Sequence, residues 1–150
     1  MSDQQLYDQD FYTWANAQAG LLRARRLSEV DIDHIAEEIE SMGKTEKREL
    51  INRLTVLFTH LLKWQFQPAL RGKSWSATIR VQRNALARHL RDNPGLKGKL
   101  GEAIGEAYID ALIEAEGETD LPVAIFPASC PWSFEQIMNP EFWPDAAQGR

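Results

Sequence analysis

The sequence has a single cysteine, Cys130, so no disulfide can form within the chain and the fold must rest on its core. A lone thiol suits a reducing compartment, and a cytoplasmic location is expected. No window approaches the roughly 18 consecutive apolar residues of a membrane-spanning helix. The N-terminal MSDQQLYDQD lacks the basic and apolar regions of a signal peptide. Histidine is scarce, with only His34, His60 and His89, and Glu-x-x-His does not occur. That removes the ligand pattern of ferritin-like carboxylate bundles. Alternating strand patterns and internal repeats are also missing. Most telling, residues 50–91 contain no Asp or Glu at all.

What is present is a chain of 150 residues, 43% apolar and 26% charged, long enough to bury a core as one domain, 1–150. Its net charge of −5 hides a segregation. Residues 50–91 hold eight Lys or Arg; residues 1–49 hold 6 basic and 11 acidic residues, and residues 102–150 hold one basic and ten acidic. A basic hairpin therefore lies between acidic segments.

Apolar spacing at the helical period predicts an all-α protein: a four- to five-helix bundle with helices at about 10–26, 29–42, 45–67, 74–91 and 96–116. Asp8 or Asp10 can cap the first, with Phe11, Trp14, Ala15, Gln18 and Leu22 on one face. Ser28 and Asp31 suggest a capping box for the second. Its buried stripe would be Ile32, Ile35, Ala36, Ile39 and Met42, and Gly43 would end it. Thr45 can cap the third, whose wide apolar face (Leu50, Leu54, Leu57, Phe58, Leu61, Trp64) suits a central helix. In the fourth, Trp75, Ile79, Leu86 and Leu90 face inward while Arg80, Asn84, Arg88 and Arg91 face outward. In the fifth, Gly98, Gly101 and Gly105 are expected to permit a close helix–helix approach. The Pro- and aromatic-rich segment 121–145 reads as a strap, with Phe126, Trp132, Phe134, Phe142 and Trp143 filling grooves, and Ser133 and Gln136 forming a capping box.

Gly72-Lys73-Ser74 invites a phosphate-loop reading, but position 67 is Gln where a Gly is needed and no strand precedes it. Arg71, Lys73 and Ser74 instead flank a helix start, where a phosphate or sulfate could dock, or where Ser74 simply caps the helix. The basic hairpin 63–91 as a whole could meet nucleic acid, with Trp64, Phe66 and Trp75 as stacking candidates. A sequence pI near 5.2 and the predicted inward faces of both tryptophans argue against it. Asp31, His34 and Glu38 are spaced by one turn on a helix, a thin candidate for a metal site. Glu37, Glu38 and Glu40 form a carboxylate ridge, better suited to solvent or to pairing with cations than to acid–base work. Cys130 precedes Pro131 and Trp132, so it lacks an activating helix start and reads as a small buried hydrophobe. No catalytic set and no cofactor are predicted.

Four blocks then carry a resemblance: LYDQDFYTWANAQAGLLR; IAEEIESMGKTEKREL; HLLKWQFQP with SWSATIRVQR; and FPASCPWSFEQIM. In this order they resemble the bacterial family named domain of unknown function 29, over about residues 6 to 143. The resemblance implies an all-α cytoplasmic bacterial protein, with no activity, cofactor or catalytic residue to carry over. The family's most recognisable positions fall at Glu37, Glu38, Glu40, His60, Lys63, Trp64, Pro68, Ser74, Trp75, Thr78, Gln82, Arg83, Cys130, Pro131 and Trp132, and assign no role. The expectation is a non-enzymatic helical protein-interaction or regulatory module, with a protein partner or a homo-oligomer. A nucleic-acid-binding or antitoxin-like regulator is the alternative, and an enzyme or metal-binding bundle stands behind both. The residues in question are Arg71, Lys73, Ser74, Arg80, Arg88 and Arg91.

Overall fold

A computed structural model describes residues 1–147. Among the described residues there are six α-helices and no strand: α1 (Asp3–Gln9), α2 (Phe11–Arg23), α3 (Ile32–Phe66), α4 (Lys73–Asp92), α5 (Leu100–Thr119) and α6 (Phe134–Met138). The all-α class read from the sequence is the observed one. None of these helices is long and apolar enough to cross a membrane. The chain forms two compact units, Met1–Thr45 and the residues from Glu46 on, and α3 contributes to each.

In the first unit, Ser2 and Gln5 make a reciprocal capping box that starts α1, a short helix the sequence pattern did not announce. Asp10 caps α2, its side chain accepting from the Thr13 amide. Helix α2 buries Trp14 and Gln18 on the expected face, although Phe11 and Leu22 remain partly exposed.

The expected break at residues 43–45 does not exist. Gly43 adopts no left-handed φ, and Thr45 turns its hydroxyl back onto the Ser41 carbonyl at 2.9 Å, so both sit inside a continuous 35-residue helix. Ser28 likewise does not open the helix, which begins after Asp31, whose carbonyl accepts the first bond from Ile35. The stripe expected to be buried is not: Ile32, Ile39 and Met42 are 64%, 63% and 68% exposed. Ala36 is exposed as well, and of the expected stripe Ile35 is the half-buried member.

The second unit contains the main core. Leu50, Leu54, Leu57, Phe58, Leu61 and Leu62 of α3 pack with Ile79, Leu86 and Leu90 of α4 and with Ala103, Ala107, Tyr108, Ala111 and Ala115 of α5. The alanines of that cluster recur at every fourth position of α5 and form one buried stripe. The tail closes the core as expected. Phe126 and Trp132 are buried, Phe134, Phe142 and Trp143 pack on the cluster, and the Ser133–Gln136 capping box starts α6.

The glycines of α5 have a different meaning from the one expected. A Cβ placed on Gly98, Gly101 or Gly105 would meet no atom within 4 Å, so no close helix approach requires them. Gly98 precedes α5, in the 3-10 segment Pro94–Lys99.

Arg83 ties the tail to the bundle. It lies on the inward face of α4 and is 3% exposed. Its Nε donates to the Ile137 carbonyl at 2.8 Å, and its Nη2 donates to the carbonyls of Phe142 at 2.8 Å and Gln136 at 3.4 Å. Its guanidinium also stacks over Trp143. Burial lowers the Arg83 pKa. The charge is held by carbonyl dipoles at the C-terminal end of α6, which favour a cation.

Candidate functional site

The candidate residues lie around α4. After Pro68 a 3-10 turn leads to Gly72, the N-cap of α4, with no side chain capping the helix. Ser74 therefore does not cap; it lies exposed in the first turn, with its carbonyl accepting from Thr78. Arg71 leaves the turn altogether. Its Nε donates to the Trp64 carbonyl at 2.7 Å, its Nη2 to the Pro144 carbonyl at 3.4 Å, and its guanidinium covers the Trp64 ring. Of the three residues expected at the turn, Lys73 and Ser74 face solvent and Arg71 is a strut.

The outer face of α4 carries Lys73, Ala77, Arg80, Val81, Asn84, Ala87, Arg88 and Arg91, all exposed. Lys73, Arg80, Arg88 and Arg91 make no ion pair among the described residues. Their charge is not neutralised within the unit.

Helix α5 presents the opposite sign. It has six acids and no base. Some of these acids are used internally. Glu102 pairs with Lys47 at 3.1 Å, a contact that lowers its pKa, and Glu118 pairs with Lys63 at 3.7 Å. Glu116 accepts from the Val123 amide. Glu106 and Asp110 are exposed and make no ion pair among the described residues, and Ile109 and Ile113 beside them are 61% and 66% exposed. Between α3 and α5 lies a cavity of about 400 Å³, lined by Asn52, Thr55, Val56, Asp110, Ile113 and Glu114. Two carboxylates, two uncharged polar groups and two aliphatic side chains suit a guanidinium on an aliphatic stem.

In the first unit, Asp31, His34 and Glu38 are brought together, but through hydrogen bonds. His34 Nδ1 lies 2.7 Å from Asp31 Oδ2, which also accepts from Trp14 Nε1 at 3.0 Å. Tyr7 stacks on the His34 ring at 4.0 Å and donates its hydroxyl to Glu38. The Glu38 bond is the main reason the Tyr7 pKa is pushed up to about 12. The Asp31 hydrogen bond raises His34 against the opposing effect of burial. Burial alone would raise Asp31, but its bonds from His34 and Trp14 and the His34 charge together lower it. His34 Nδ1 and Asp31 Oδ2 are turned onto each other, and Glu38 Oε1 is occupied by a phenol.

Among the described residues, the acidic and histidine side chains whose ligand atoms do converge are Glu46, Glu49 and His89. The sequence reading did not single out this trio, although Glu46 and Glu49 sit one turn apart and His89 lies on the inner side of α4. His89 Nε2 bonds to the Glu46 carbonyl at 2.8 Å, and Arg53 holds Glu49 at 3.0 Å. The Arg53 charge neutralises Glu49, and the arrangement anchors α4 to α3.

Cys130 is half-buried, its thiol 3.6 Å from the Trp132 carbonyl, and burial pushes its pKa up, away from a reactive thiolate. The aromatic residues considered for base stacking are engaged. Trp64 packs on Trp143, Phe66 on Phe126, and Lys63 covers Trp75. No curated protein and no solved structure matches the chain. Residues 6–143, nearly its whole length, match the model of the family described as Domain of unknown function DUF29, and the chain belongs to that family.

Proposed function

We propose that this protein is a non-enzymatic helical interaction module that recognises an acidic protein surface through the outer face of α4. The supporting observation is that Lys73, Arg80, Arg88 and Arg91 are exposed along one helix without ion pairs among the described residues. Four uncompensated cations on one face repel one another, and an acidic partner relieves that repulsion. Small side chains between them, at Ala77, Asn84 and Ala87, leave room for a partner to approach. A bacterial cytoplasmic setting is part of this reading, and its support is a single thiol, which suits a reducing compartment.

Nucleic acid is the second reading, since phosphates also match an open cationic face. The engaged Trp64, Phe66 and Trp75 argue for protein instead, because they offer no stacking platform. The test is capture from lysate by wild type and by Arg80→Glu/Arg88→Glu, with and without nuclease, at low and high salt. The module reading expects protein capture that survives nuclease, weakens with salt and is lost in the variant. Capture abolished by nuclease would favour the second reading, and capture unchanged in the variant would refute both.

A further inference from the structure

We propose that the acidic surface recognised by α4 is the α5 face of a second copy of this chain. The inference rests on the interaction-module reading and names its partner.

Both halves of the contact are present on one compact unit. Helix α4 offers Lys73, Arg80, Arg88 and Arg91 to solvent, and α5 offers Glu106 and Asp110, none of them in an ion pair among the described residues. The spacings agree. Arg80 and Arg88 are eight residues apart, as are Glu106 and Glu114, which places each pair about 12 Å apart along its helix. Both faces also carry apolar residues that have no reason to be wet. Val81 is 58% exposed beside Arg80, and Ile109 and Ile113 are 61% and 66% exposed beside the carboxylates.

The cavity of about 400 Å³ between α3 and α5 supplies a receptor for one arginine of the other copy. Asp110 at its wall can take the guanidinium together with Glu114, whose Oε2 also accepts from the Thr59 hydroxyl at 3.3 Å, and Val56 and Ile113 can cover the methylene stem. Lysine would fit less well, because it lacks the planar fork that bonds to two carboxylates at once. Like charges on matching faces block the α4–α4 and α5–α5 pairings, so the segregation of charge also sets the register.

Two variants with complementary charge reversal test this by sedimentation velocity. One is Arg80→Glu/Arg88→Glu/Arg91→Glu, which leaves one cation against three carboxylates on α4 and keeps α5 acidic; the other is Glu106→Lys/Asp110→Lys, which puts lysines at the two open carboxylate positions of α5 and keeps α4 basic. The substituted side chains are exposed, and circular dichroism checks that each variant retains its helix content. Wild type should associate at low salt and dissociate at high salt. Each variant alone should be monomeric, and an equimolar mixture should associate again, because each face then meets its opposite. If a reversal disturbs the fold, Arg80→Gln/Arg88→Gln and Glu106→Gln/Asp110→Asn should each weaken the wild-type association. Wild type that stays monomeric, or a mixture that does not associate, overturns the second-copy inference. Monomeric wild type that still captures an acidic protein in an α4-dependent way overturns this inference alone. Loss of that α4-dependent capture as well overturns the module reading with it.

Discussion

The two compact units are held together by different chemistry. The first, Met1–Thr45, fully buries only Trp14 and Gln18, and it is organised by hydrogen bonds and aromatic contacts around Asp31, His34, Tyr7 and Trp14. The second has a continuous aliphatic core closed by an aromatic tail, with a buried arginine tying the tail in place. Apolar burial is indifferent to pH, whereas a carboxylate–imidazole pair is not. The second unit should therefore provide most of the stability, and the first most of the sensitivity to conditions.

The largest effect should come from Arg83. In Arg83→Ala the buried Ile137 carbonyl and the part-buried carbonyls of Gln136 and Phe142 lose the arginine as donor. Denaturant unfolding should show a loss of about 3 kcal/mol, in the range for breaking a buried charged hydrogen-bond set. A loss below about 1 kcal/mol, the size of one ordinary hydrogen bond, would mean the tail is held by its aromatic residues alone.

In the first unit, Asp31→Ala removes the acceptor for Trp14 and the partner of His34. Hydrogen exchange should speed up across Met1–Thr45, by the equivalent of about 2 kcal/mol for two part-buried bonds of about 1 kcal/mol each, and hardly at all in α4 and α5. Equal acceleration in both units would erase the contrast between them.

The same pair predicts a pH response. His34 has a raised pKa, so its contribution is complete below the ordinary value of 6.5 and disappears as pH rises through the raised one. Asp31 has a lowered pKa, so its contribution is complete above 3.8 and disappears as pH falls through the lowered one. Hydrogen-exchange protection of the first unit should peak between these limits and decline on the alkaline side. His34→Gln should remove the alkaline decline, and a decline that persists must come from another group.

The smallest expected change is a gain. A Cβ at Gly105 of α5 or Gly43 of α3 meets nothing within 4 Å, so alanine at either should stabilise its helix by about 0.5–1 kcal/mol. A destabilised Gly105→Ala would restore the close approach that the open geometry rejects.

Much of this was legible in the sequence, and the exceptions share a cause. The Asp10 cap, the inward faces of α4 and the second half of α3, and the tail with its Ser133 capping box follow from local pattern. The join at Gly43 and Thr45 did not, because both residues suit a helix end as well as an exposed helix interior; only the Thr45 bond to Ser41 decides it. Ile32, Ile39 and Met42 show that a period reports which residues share a face and not whether anything covers it. Arg83 left a trace: it falls on the line of Ile79, Leu86 and Leu90, where a basic residue must find acceptors. Arg71 left none, since its acceptors are main-chain carbonyls, one of them 73 residues away at Pro144.

Zero-length carbodiimide coupling probes the basic face most directly, because it joins a lysine only to a carboxylate in contact with it. Lys47–Glu102 and Lys63–Glu118, at 3.1 and 3.7 Å, serve as internal controls within one chain. Lys73 is the lysine of the α4 face. With isotopically distinct copies mixed at low salt, it should couple to Glu106, Asp110 or Glu114 of another copy, and the product should vanish at high salt. Coupling of both control pairs while Lys73 joins no carboxylate of another copy would contradict the account.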